Sequence, residues 1–400
     1  MNDATTPASP GAPRGPAYAP RSAVARALTI EDLRLQARRR LPRVIFEFID
    51  RGAYDERTLA ENVNALARRL LRQRVMVDVS RRRLGVSHLG RSWALPLVLG
   101  PAGMTGLFHA DGEIHAAKAA QSMGIPYCLS TVSICSIEEV AAATRQPFWF
   151  QLYMLRDRSV VEQLLDRAEA AGCGALVLGA DVPVHGQRHQ DIRNGMSVPP
   201  RMTGANLLSV LGHPRWICSM LRSGRRTFGN LSGVNGLGDV SSITTWVNQQ
   251  FDGALTWRDL EWLRARWKGP LVIKGVLDPQ DAAEAAARGV DGIVVSNHGG
   301  RQLDGAPATI DRLGAIVERV GASTHVFLDG GVRSGQDVVR AMALGARAVW
   351  LGRAYLYGLA AGGEGGVVRA IEILRKELDT TLGLTGFSDV AALDHSALDG

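Results

Sequence analysis

The chain has 400 residues, 46% of them hydrophobic, and a formal net charge of +7. This length suits one α/β barrel with extensions, a fold that runs from roughly 250 to over 400 residues. No apolar run is long enough to cross a bilayer, and the four cysteines form no C-x-x-C pair, which disfavours a zinc site and favours reduced thiols. The basic clusters show no zinc-finger or RNP-type pattern, so we expect no nucleic-acid partner.

Residues 1–27 are rich in proline and alanine, which predicts a disordered tail, and they lack the apolar core of a secretory signal. A helical segment follows, from Thr29 as a candidate N-cap to about Asn64. From Leu95 onward, short apolar runs alternate with Ala-, Glu- and Arg-rich stretches that end in glycine, as helices often do. The predicted strands are 95–99, 127–131, 148–153, 175–180, 271–276, 292–296, 325–328 and 348–351.

Eight strands with helices between them predict the α/β class, a (β/α)8 TIM barrel in a single domain at 28–400. A doubly wound sheet is the alternative, but the chain lacks the early G-x-G-x-x-G turn expected of one. The gap from Pro183 to Pro270 is too long for an ordinary connection. We therefore assign residues 197–251 to a long insertion after the fourth strand.

The stretch 293–304 reads IVVSNHGGRQLD and carries His298 and Arg301 just after a buried strand. Histidine exchanges a proton near neutral pH, and arginine can clamp a carboxylate through its planar fork. Other strands end in polar residues too, and strand ends meet on one face of a barrel. This predicted set contains Ser130, Gln151, Tyr153, Asp181, Lys274, His298, Asp329 and Arg353.

Two glycine-rich turns, DGGVR at 329–333 and LGR at 351–353, follow strands seven and eight. Their backbone N–H groups, with Arg333 and Arg353, suit a phosphate cradle for a nucleotide sugar, a flavin mononucleotide or a phosphorylated substrate. Lys274 could be a Schiff-base nucleophile or a positive charge beside an electron-rich ring. The presence of His298 with two arginines, Arg188 and Arg301, favours the second interpretation.

Several motifs together resemble those of the FMN-dependent 2-hydroxy-acid oxidases and dehydrogenases, a group that includes glycolate oxidase, L-lactate dehydrogenase and mandelate dehydrogenase. They are SNHGGRQLD (296–304), FQLY (150–153), VIKGV (272–276), DGGVRSGQDV (329–338) and LGRAYLYG (351–358). The likeness runs from about Thr29 to Val390, and SNHGGRQLD is its most specific part. The resemblance implies FMN as the cofactor.

It also implies a role for each matching residue. His298 would be the catalytic base with Asp181 as its partner, and Tyr153 would hydrogen-bond near the reacting hydroxyl. Arg301 and Arg188 would bind the substrate carboxylate, while Lys274 would support negative charge on the reduced flavin. The flavin ring would lie against Pro101, Ala102, Gly103, Ser130, Gln151 and Ser296. The ribityl chain and phosphate would be held by Asp329, Gly330, Gly331, Arg333, Gly352 and Arg353.

Three positions depart from the family pattern. Phe48 stands where many members carry a substrate-binding tyrosine, so one hydrogen bond to the substrate carboxylate is missing. Gly179, near the flavin, replaces a usual threonine, and Ala102 stands where threonine is common. None of these changes removes the base, the arginines or the lysine. We therefore expect an active enzyme.

The stretch LSTVSICSIEEV (129–140) resembles lactate dehydrogenases, and Gly103 resembles membrane dehydrogenases that pass electrons to quinone. We expect oxidation of an (S)-2-hydroxy acid, L-lactate first and mandelate-like aromatic acids second, with quinone or another electron acceptor. The alternatives are an oxygen-using oxidase, a non-redox barrel with Lys274 as Schiff-base nucleophile, and a flavin-binding protein without turnover. The resemblance also implies a homo-oligomer, a tetramer.

The insertion mixes apolar residues and arginines, which suits a segment lying in a membrane interface. We expect peripheral binding to the anionic, cytoplasmic face of the inner membrane, with a mobile lid or a subunit contact as the alternative. We also expect a short linker in place of 197–238 to leave flavin reduction intact. The apolar set is Leu207, Leu208, Val210, Leu211, Trp216, Ile217, Met220 and Leu221, and the arginines are Arg201, Arg215, Arg222, Arg225 and Arg226.

Overall fold

A computed structural model describes residues 22–195, 203–225, 227–232, 246 and 249–399. Most of the predicted tail therefore lies outside the described residues. Its last part packs against the folded body, because Ala27 is buried and the carbonyl of Ala23 accepts a hydrogen bond from Gln36 Nε2 at 3.0 Å.

In the described part of the chain, three helices and a hairpin precede the barrel. The helices are α1 (Ile30–Arg40), α2 (Arg43–Asp50) and α3 (Arg57–Arg68), and the hairpin strands are β1 (Val86–His88) and β2 (Arg91–Trp93). Thr29 caps α1 as predicted, through a reciprocal pair of hydrogen bonds with Asp32. The predicted helical segment is divided because Pro42 has no N–H to continue α1 and starts α2 instead.

Eight parallel strands pair in the order β3-β10-β9-β8-β7-β6-β5-β4. The N–H of Leu99 donates to Pro126 O at 2.9 Å and Leu99 bridges Tyr127, which brings β3 beside β4 and closes the barrel. The predicted strands are confirmed within two residues at each end. They are β3 (Leu97–Leu99), β4 (Cys128–Ser130), β5 (Trp149–Leu152), β6 (Ala175–Gly179), β7 (Leu271–Val276), β8 (Gly292–Val295), β9 (His325–Asp329) and β10 (Val349–Leu351).

The strands are buried on both faces because helices cover the outside of the barrel. All residues of β6 and β8 are buried, which matches their continuous apolar sequences. Among the described residues, no helix is long and apolar enough to cross a bilayer. The helices are α4 (Gly112–Ser122), α5 (Ile137–Ala143), α6 (Arg158–Ala170), α7 (His189–Arg193), α8 (Gly204–Leu211), α9 (Pro214–Ser223), α10 (Trp257–Arg266), α11 (Pro279–Ala287), α12 (Thr309–Val320), α13 (Gly335–Ala343) and α14 (Arg353–Leu384), with short 3-10 turns at Thr105–Leu107, Val390–Ala392 and His395–Ala397.

The hairpin buries a histidine in an aromatic cluster. The ring of His88 is 1% exposed and lies 5.8 Å from Trp93, 5.8 Å from Trp149 and 5.2 Å from Phe327, measured between ring centroids. Neither ring nitrogen has a hydrogen-bond partner in the described part of the chain. Burial, with a smaller effect of the charge of His325, lowers the pKa of His88 to about 3. The folded protein therefore holds this histidine neutral.

Replacing His88 with methionine should make the fold less sensitive to acid. Between the folded pKa near 3 and the ordinary value of 6.5, only the unfolded chain binds the proton, so stability falls as the pH drops below 6.5. From about pH 8 to about pH 5, the free energy of unfolding by urea should fall by about 2 kcal/mol less in His88→Met than in wild type. The exposed His395→Gln should behave like wild type. Equal pH dependence of His88→Met and wild type would contradict this account.

Candidate active site

A cavity of about 780 Å³ opens where the carboxyl ends of the barrel strands meet. Its volume is typical of sites for cofactors and small ligands. The structure brings together on its wall most of the residues that the sequence singled out. They are Phe48, Pro101, Ala102, Gly103, Ser130, Tyr153, Arg188, Lys274, His298, Arg301, Asp329, Gly330, Gly331, Arg333, Gly352 and Arg353.

Four other predicted residues do not line the cavity directly. They are Gln151, Gly179, Asp181 and Ser296. The Ser296 hydroxyl accepts a hydrogen bond from Lys274 Nζ at 2.9 Å and donates one to Asp329 Oδ2 at 2.7 Å. Ser296 therefore holds the lysine and the aspartate in place, and its contact with the flavin ring stays a prediction.

Gly179 ends β6 beside the ring of Tyr153 and does not reach the cavity. A Cβ atom at this position would lie 2.8 Å from Tyr153 Cε1 and 3.0 Å from Gln151 Nε2. The glycine therefore makes room for these two side chains. Its contact with the flavin stays a prediction.

His298 and Asp181 form the hydrogen-bonded pair that the sequence predicted. His298 follows β8, and its Nδ1 lies 3.0 Å from Asp181 Oδ2, which follows β6. Burial opposes the charge of Asp181, but the charge and hydrogen bond of His298 and the charge of Lys274 hold its pKa below the usual range. Gly275 permits the close approach: its φ is +108°, and a Cβ there would lie 2.4 Å from Asp181 Cβ. A charged partner orients the imidazole and stabilises its protonated form.

The backbone of SNHGGRQLD turns through three left-handed residues in succession. His298, Gly299 and Gly300 have φ values of 57°, 63° and 72°. For His298 this conformation costs about 1 kcal/mol or more. A Cβ on Gly299 would lie 2.7 Å from Arg353 Nη1, and one on Gly300 would lie 2.5 Å from Leu59 N in α3. The two glycines are therefore needed for the turn to pack between α3 and Arg353.

The two predicted clamp residues, Arg301 and Arg188, meet at the ring of Phe48. Their Cζ atoms lie 4.9 Å and 6.0 Å from its centroid, so Phe48 does face the clamp. Arg301 Nη1 also donates to the carbonyls of Phe48 and Arg51, at 2.7 Å and 3.0 Å. Burial lowers the pKa of Arg301, and the like charge of Arg188 lowers it further. An incoming carboxylate would relieve this repulsion, so the pair forms an anion site.

Asp191 lines the cavity beside the clamp, and the sequence analysis did not single it out. Its Oδ2 lies 3.5 Å from Arg188 Nη1 and 3.9 Å from Arg301 Nη2. Burial raises the pKa of Asp191 above its usual value. The charges of Arg301 and Arg188 lower this pKa, whereas the charge of Glu47 raises it further. The available signal was the three-residue spacing from Arg188, which puts both on one face of a helical turn.

Lys274 is fixed as a cation in the floor of the cavity. Its Nζ lies 2.7 Å from Asp329 Oδ2. Burial acts to lower the pKa of Lys274, but the charges of Asp329 and Asp181 raise it above the ordinary value. A lysine that keeps its proton is a poor nucleophile, which disfavours the Schiff-base alternative and suits a lysine that faces an electron-rich ring.

The residues at the ring end of the cavity fit a flavin. Gln151 is 1% exposed, and its Nε2 is buried without a hydrogen-bond partner in the described residues, while its Oε1 accepts from Ser130 Oγ at 3.1 Å. A buried amide donor of this kind calls for an acceptor such as a flavin carbonyl or ring nitrogen. FMN would also meet the cationic Nζ of Lys274 at this end.

The other end of the cavity fits the phosphate. Gly330 and Gly331 have φ values of 116° and 83°, and a Cβ on Gly331 would lie 2.2 Å from Asn62 O. The turn therefore packs tightly on α3 and presents its backbone beside Arg333. Arg353 already donates from Nε, Nη1 and Nη2 to three backbone carbonyls, so it shapes this end as well as supplying charge.

The predicted insertion lies at the mouth of the cavity. Thr227, Phe228 and Phe251 line it, while α8 and α9 extend from it. Residues 197–202, 226, 233–245 and 247–248, which include the predicted Arg201 and Arg226, lie outside the described residues. Trp216 is not a freely exposed interface residue: its Nε1 donates to Leu107 O at 2.8 Å and fixes α9 to the cavity rim.

Part of the insertion is hydrogen-bonded to the end of β4. Asn230 is 0% exposed, and its Nδ2 donates to the carbonyl of Ser130 at 3.1 Å, while its Oδ1 accepts from the Ile137 N–H at 2.8 Å. Removing 197–238 would leave the end of β4 without these bonds. We therefore expect flavin reduction to survive when a linker replaces residues 203–225, but not when residues 227–231 are removed as well. The replaceable segment is thus shorter than the 197–238 predicted from the sequence.

Three comparisons with known proteins agree with this geometry. The profile of the FMN-dependent dehydrogenase family matches residues 37–400. An L-lactate dehydrogenase of Caulobacter vibrioides (strain NA1000 / CB15N) is 49% identical over 92% of this chain and 96% of its own length, and one of Xanthomonas oryzae pv. oryzae (strain PXO99A) is 46% identical over 92% and 95%. The crystal structure of monotopic membrane protein (S)-mandelate dehydrogenase aligns with a TM-score of 0.89 at 36% identity, over 93% and 99%.

A base, an anion clamp and a buried cation around a nucleotide-sized cavity in a barrel define a flavin-dependent oxidoreductase. The chain belongs to the family of FMN-dependent dehydrogenases. The predicted fold, family and FMN cofactor are thus confirmed, while the roles of single residues stay predictions.

Replacing Gly275 with alanine should displace Asp181 and impair the chemistry while the protein still binds FMN. The added Cβ would lie 2.4 Å from Asp181 Cβ, and Gly275 itself does not line the cavity. Stopped-flow reduction of the flavin should slow by roughly 10²-fold, the usual cost of a 1 Å misplacement. Gly314→Ala, at a helix position where a Cβ meets nothing within 4 Å, should reduce its flavin at the wild-type rate. Reduction of Gly275→Ala within twofold of wild type would refute the positioning role.

Proposed function

We propose that this enzyme oxidises an (S)-2-hydroxy acid, preferably L-lactate, to the 2-oxo acid and passes the electrons to a quinone. The observation that carries the proposal is one wall of the cavity, which His298 lines together with Arg188 and Arg301 while Asp181 holds the imidazole of His298. The names of the relatives at 46–49% identity support L-lactate.

The residues divide the reaction between them. Arg188 and Arg301 would hold the carboxylate and so fix C2 of the acid, since charge-assisted bonds in a dry site orient strongly. The hydrogen bond from His298 Nδ1 to Asp181 leaves Nε2 to take the substrate proton. Burial raises the pKa of Tyr153, which therefore stays protonated and able to donate to the reacting oxygen. Bound FMN supplies the two-electron acceptor.

Aromatic 2-hydroxy acids are the second candidate substrates. The ring of Phe48 lies 6.3 Å from that of Phe108, and Ile45, Leu107 and Val132 line the same cavity. This apolar lining would accept a phenyl group as well as a methyl group. A solved neighbour at 36% identity is a mandelate dehydrogenase.

We further propose peripheral attachment to the cytoplasmic face of the inner membrane through α8 and α9. Leu207, Leu208, Leu211 and Leu221 are 49%, 73%, 61% and 62% exposed, as an interfacial segment requires. Trp216 fixes α9 to the rim of the cavity, which would bring a membrane quinone near the flavin. The monotopic membrane character named for the mandelate dehydrogenase supports this placement, and the resemblance supports a homo-oligomer.

Anaerobic titration tests the proposed reaction. L-Lactate should bleach the flavin absorbance of the purified holoenzyme in a rapid-mixing experiment, faster than (S)-mandelate at equal concentration. His298→Gln should retain the FMN spectrum but reduce roughly 10²–10⁴-fold more slowly, the range for a lost general base. A flavin that no 2-hydroxy acid bleaches would overturn the proposed function, and faster bleaching by mandelate would favour the second substrate class.

Restoring the family hydroxyl at Phe48 tests the geometry of the clamp. Because the Phe48 ring contacts both guanidinium groups, a tyrosine hydroxyl should reach the bound carboxylate. Phe48→Tyr should lower the KM for L-lactate by an amount worth about 1 kcal/mol, one net hydrogen bond. Phe108→Tyr adds a hydroxyl elsewhere on the wall and should not lower it. An unchanged KM in Phe48→Tyr would mean that the substrate carboxylate lies away from this ring.

A further inference from the structure

We propose that a second, cationic cleft beside α9 binds the phosphodiester head group of an anionic glycerophospholipid. The inference rests on the proposed membrane attachment and adds a defined lipid site to it. The cleft has a volume of about 620 Å³ and shares no lining residue with the flavin cavity. Its wall includes Arg40 from the end of α1, His109 and Asp111 before α4, and Arg215, Cys218 and Arg222 from α9.

The cleft contains positive charge that the described residues do not neutralise. Arg215 and Arg222 form no ion pair with any described residue, and Arg40 donates to the backbone carbonyl of Ala361 at 3.0 Å. The one carboxylate of the wall, Asp111, is engaged by Arg225 from outside the cleft. Burial lowers the pKa of Arg40, and the charge of Arg215 lowers it further. An anion placed among these side chains would relieve their repulsion.

Exposed leucines identify the kind of anion. Leu208 and Leu211 on α8 and Leu221 on α9 are more than 60% exposed, on the two helices that carry or adjoin the cleft. Inorganic phosphate has no apolar group that could cover these side chains. A phospholipid does, because its phosphate can enter the cleft while its acyl chains cover the leucines.

The helices around the cleft are held to the body of the protein. The Arg43 N–H at the start of α2 donates to Ser209 Oγ of α8 at 2.9 Å, and Trp216 of α9 donates to Leu107 O at 2.8 Å. These bonds fix the arginines of α9 relative to Arg40, so the site is formed before a lipid arrives. A preformed site lowers the ordering cost of binding.

Vesicle flotation of the FMN-loaded, full-length enzyme tests the site. Wild type should bind vesicles of phosphatidylcholine with phosphatidylglycerol roughly tenfold or more tightly than vesicles of phosphatidylcholine alone. Arg215→Gln/Arg222→Gln should bind both vesicle types about equally and retain flavin reduction by L-lactate. The control Arg145→Gln/Arg319→Gln removes the same charge at exposed positions outside the cleft and should keep the preference.

The outcomes separate this site from membrane attachment in general. Leu208→Ser/Leu221→Ser should weaken binding to both vesicle types but keep their ratio. If the double arginine variant keeps the wild-type preference, the head-group site is overturned while attachment through α8 and α9 stands. If wild type binds neither vesicle type, the proposed attachment fails and the lipid site with it.

Alkylation of the exposed Cys218 inside the cleft gives an independent measurement. Soluble dihexanoyl phosphatidylglycerol should slow the reaction of Cys218 with a maleimide, and the double arginine variant should lose this protection. Inorganic phosphate at the same concentration should protect little, because it lacks the acyl chains. Equal protection by inorganic phosphate, or none by the lipid, would overturn the assignment.

Discussion

A buried chain of opposite charges at the carboxyl ends of four neighbouring strands is the constraint on which the rest of the site depends. Asp329 faces Lys274 at 2.7 Å, Ser296 bridges them, and Asp181 faces His298 at 3.0 Å. A single buried charge would be costly, because it loses its hydration without a partner. Each charged group therefore keeps its partner only while β6, β7, β8 and β9 stay in register. The arrangement of the site thus depends on the correct pairing of the barrel strands.

The N-terminal helices help to hold the loop that carries His298. Asp304, the last residue of SNHGGRQLD, accepts the N–H groups of Asp55 and Thr58 and so holds the start of α3. Asn62 of α3 exchanges two amide hydrogen bonds with Asn297, each 2.8 Å long. Because these bonds cross from the helices to the catalytic loop, the left-handed turn at His298 is held from outside the barrel as well as from within.

The charge of the anion clamp, Arg188 and Arg301, is set by the residues around it. Two like charges beside one aromatic ring repel each other, and Asp191, which also lines the cavity, offsets part of that repulsion. The two arginines and Asp191 together therefore carry a net positive charge, which suits the binding of an acid. If the clamp binds the substrate acid as proposed, the missing hydroxyl on Phe48 makes the orientation of the acid depend more heavily on the two arginines and on the apolar wall.

By itself, the sequence determined the barrel, its eight strands, the FMN family and the convergence of the base, clamp and lysine, because apolar strand runs and the glycine-rich motifs are local patterns. It could not show that Ser296 and Gly179 do not line the cavity directly, find Asp191 at the clamp, or separate Asn230 from the exposed part of the insertion. Those facts depend on side chains far apart in the chain, such as Asn230 and Ser130, which meet only after folding. Tertiary packing also decided that Trp216 anchors α9 and that Arg40 meets Arg215 in a cleft, since both contacts join segments more than a hundred residues apart.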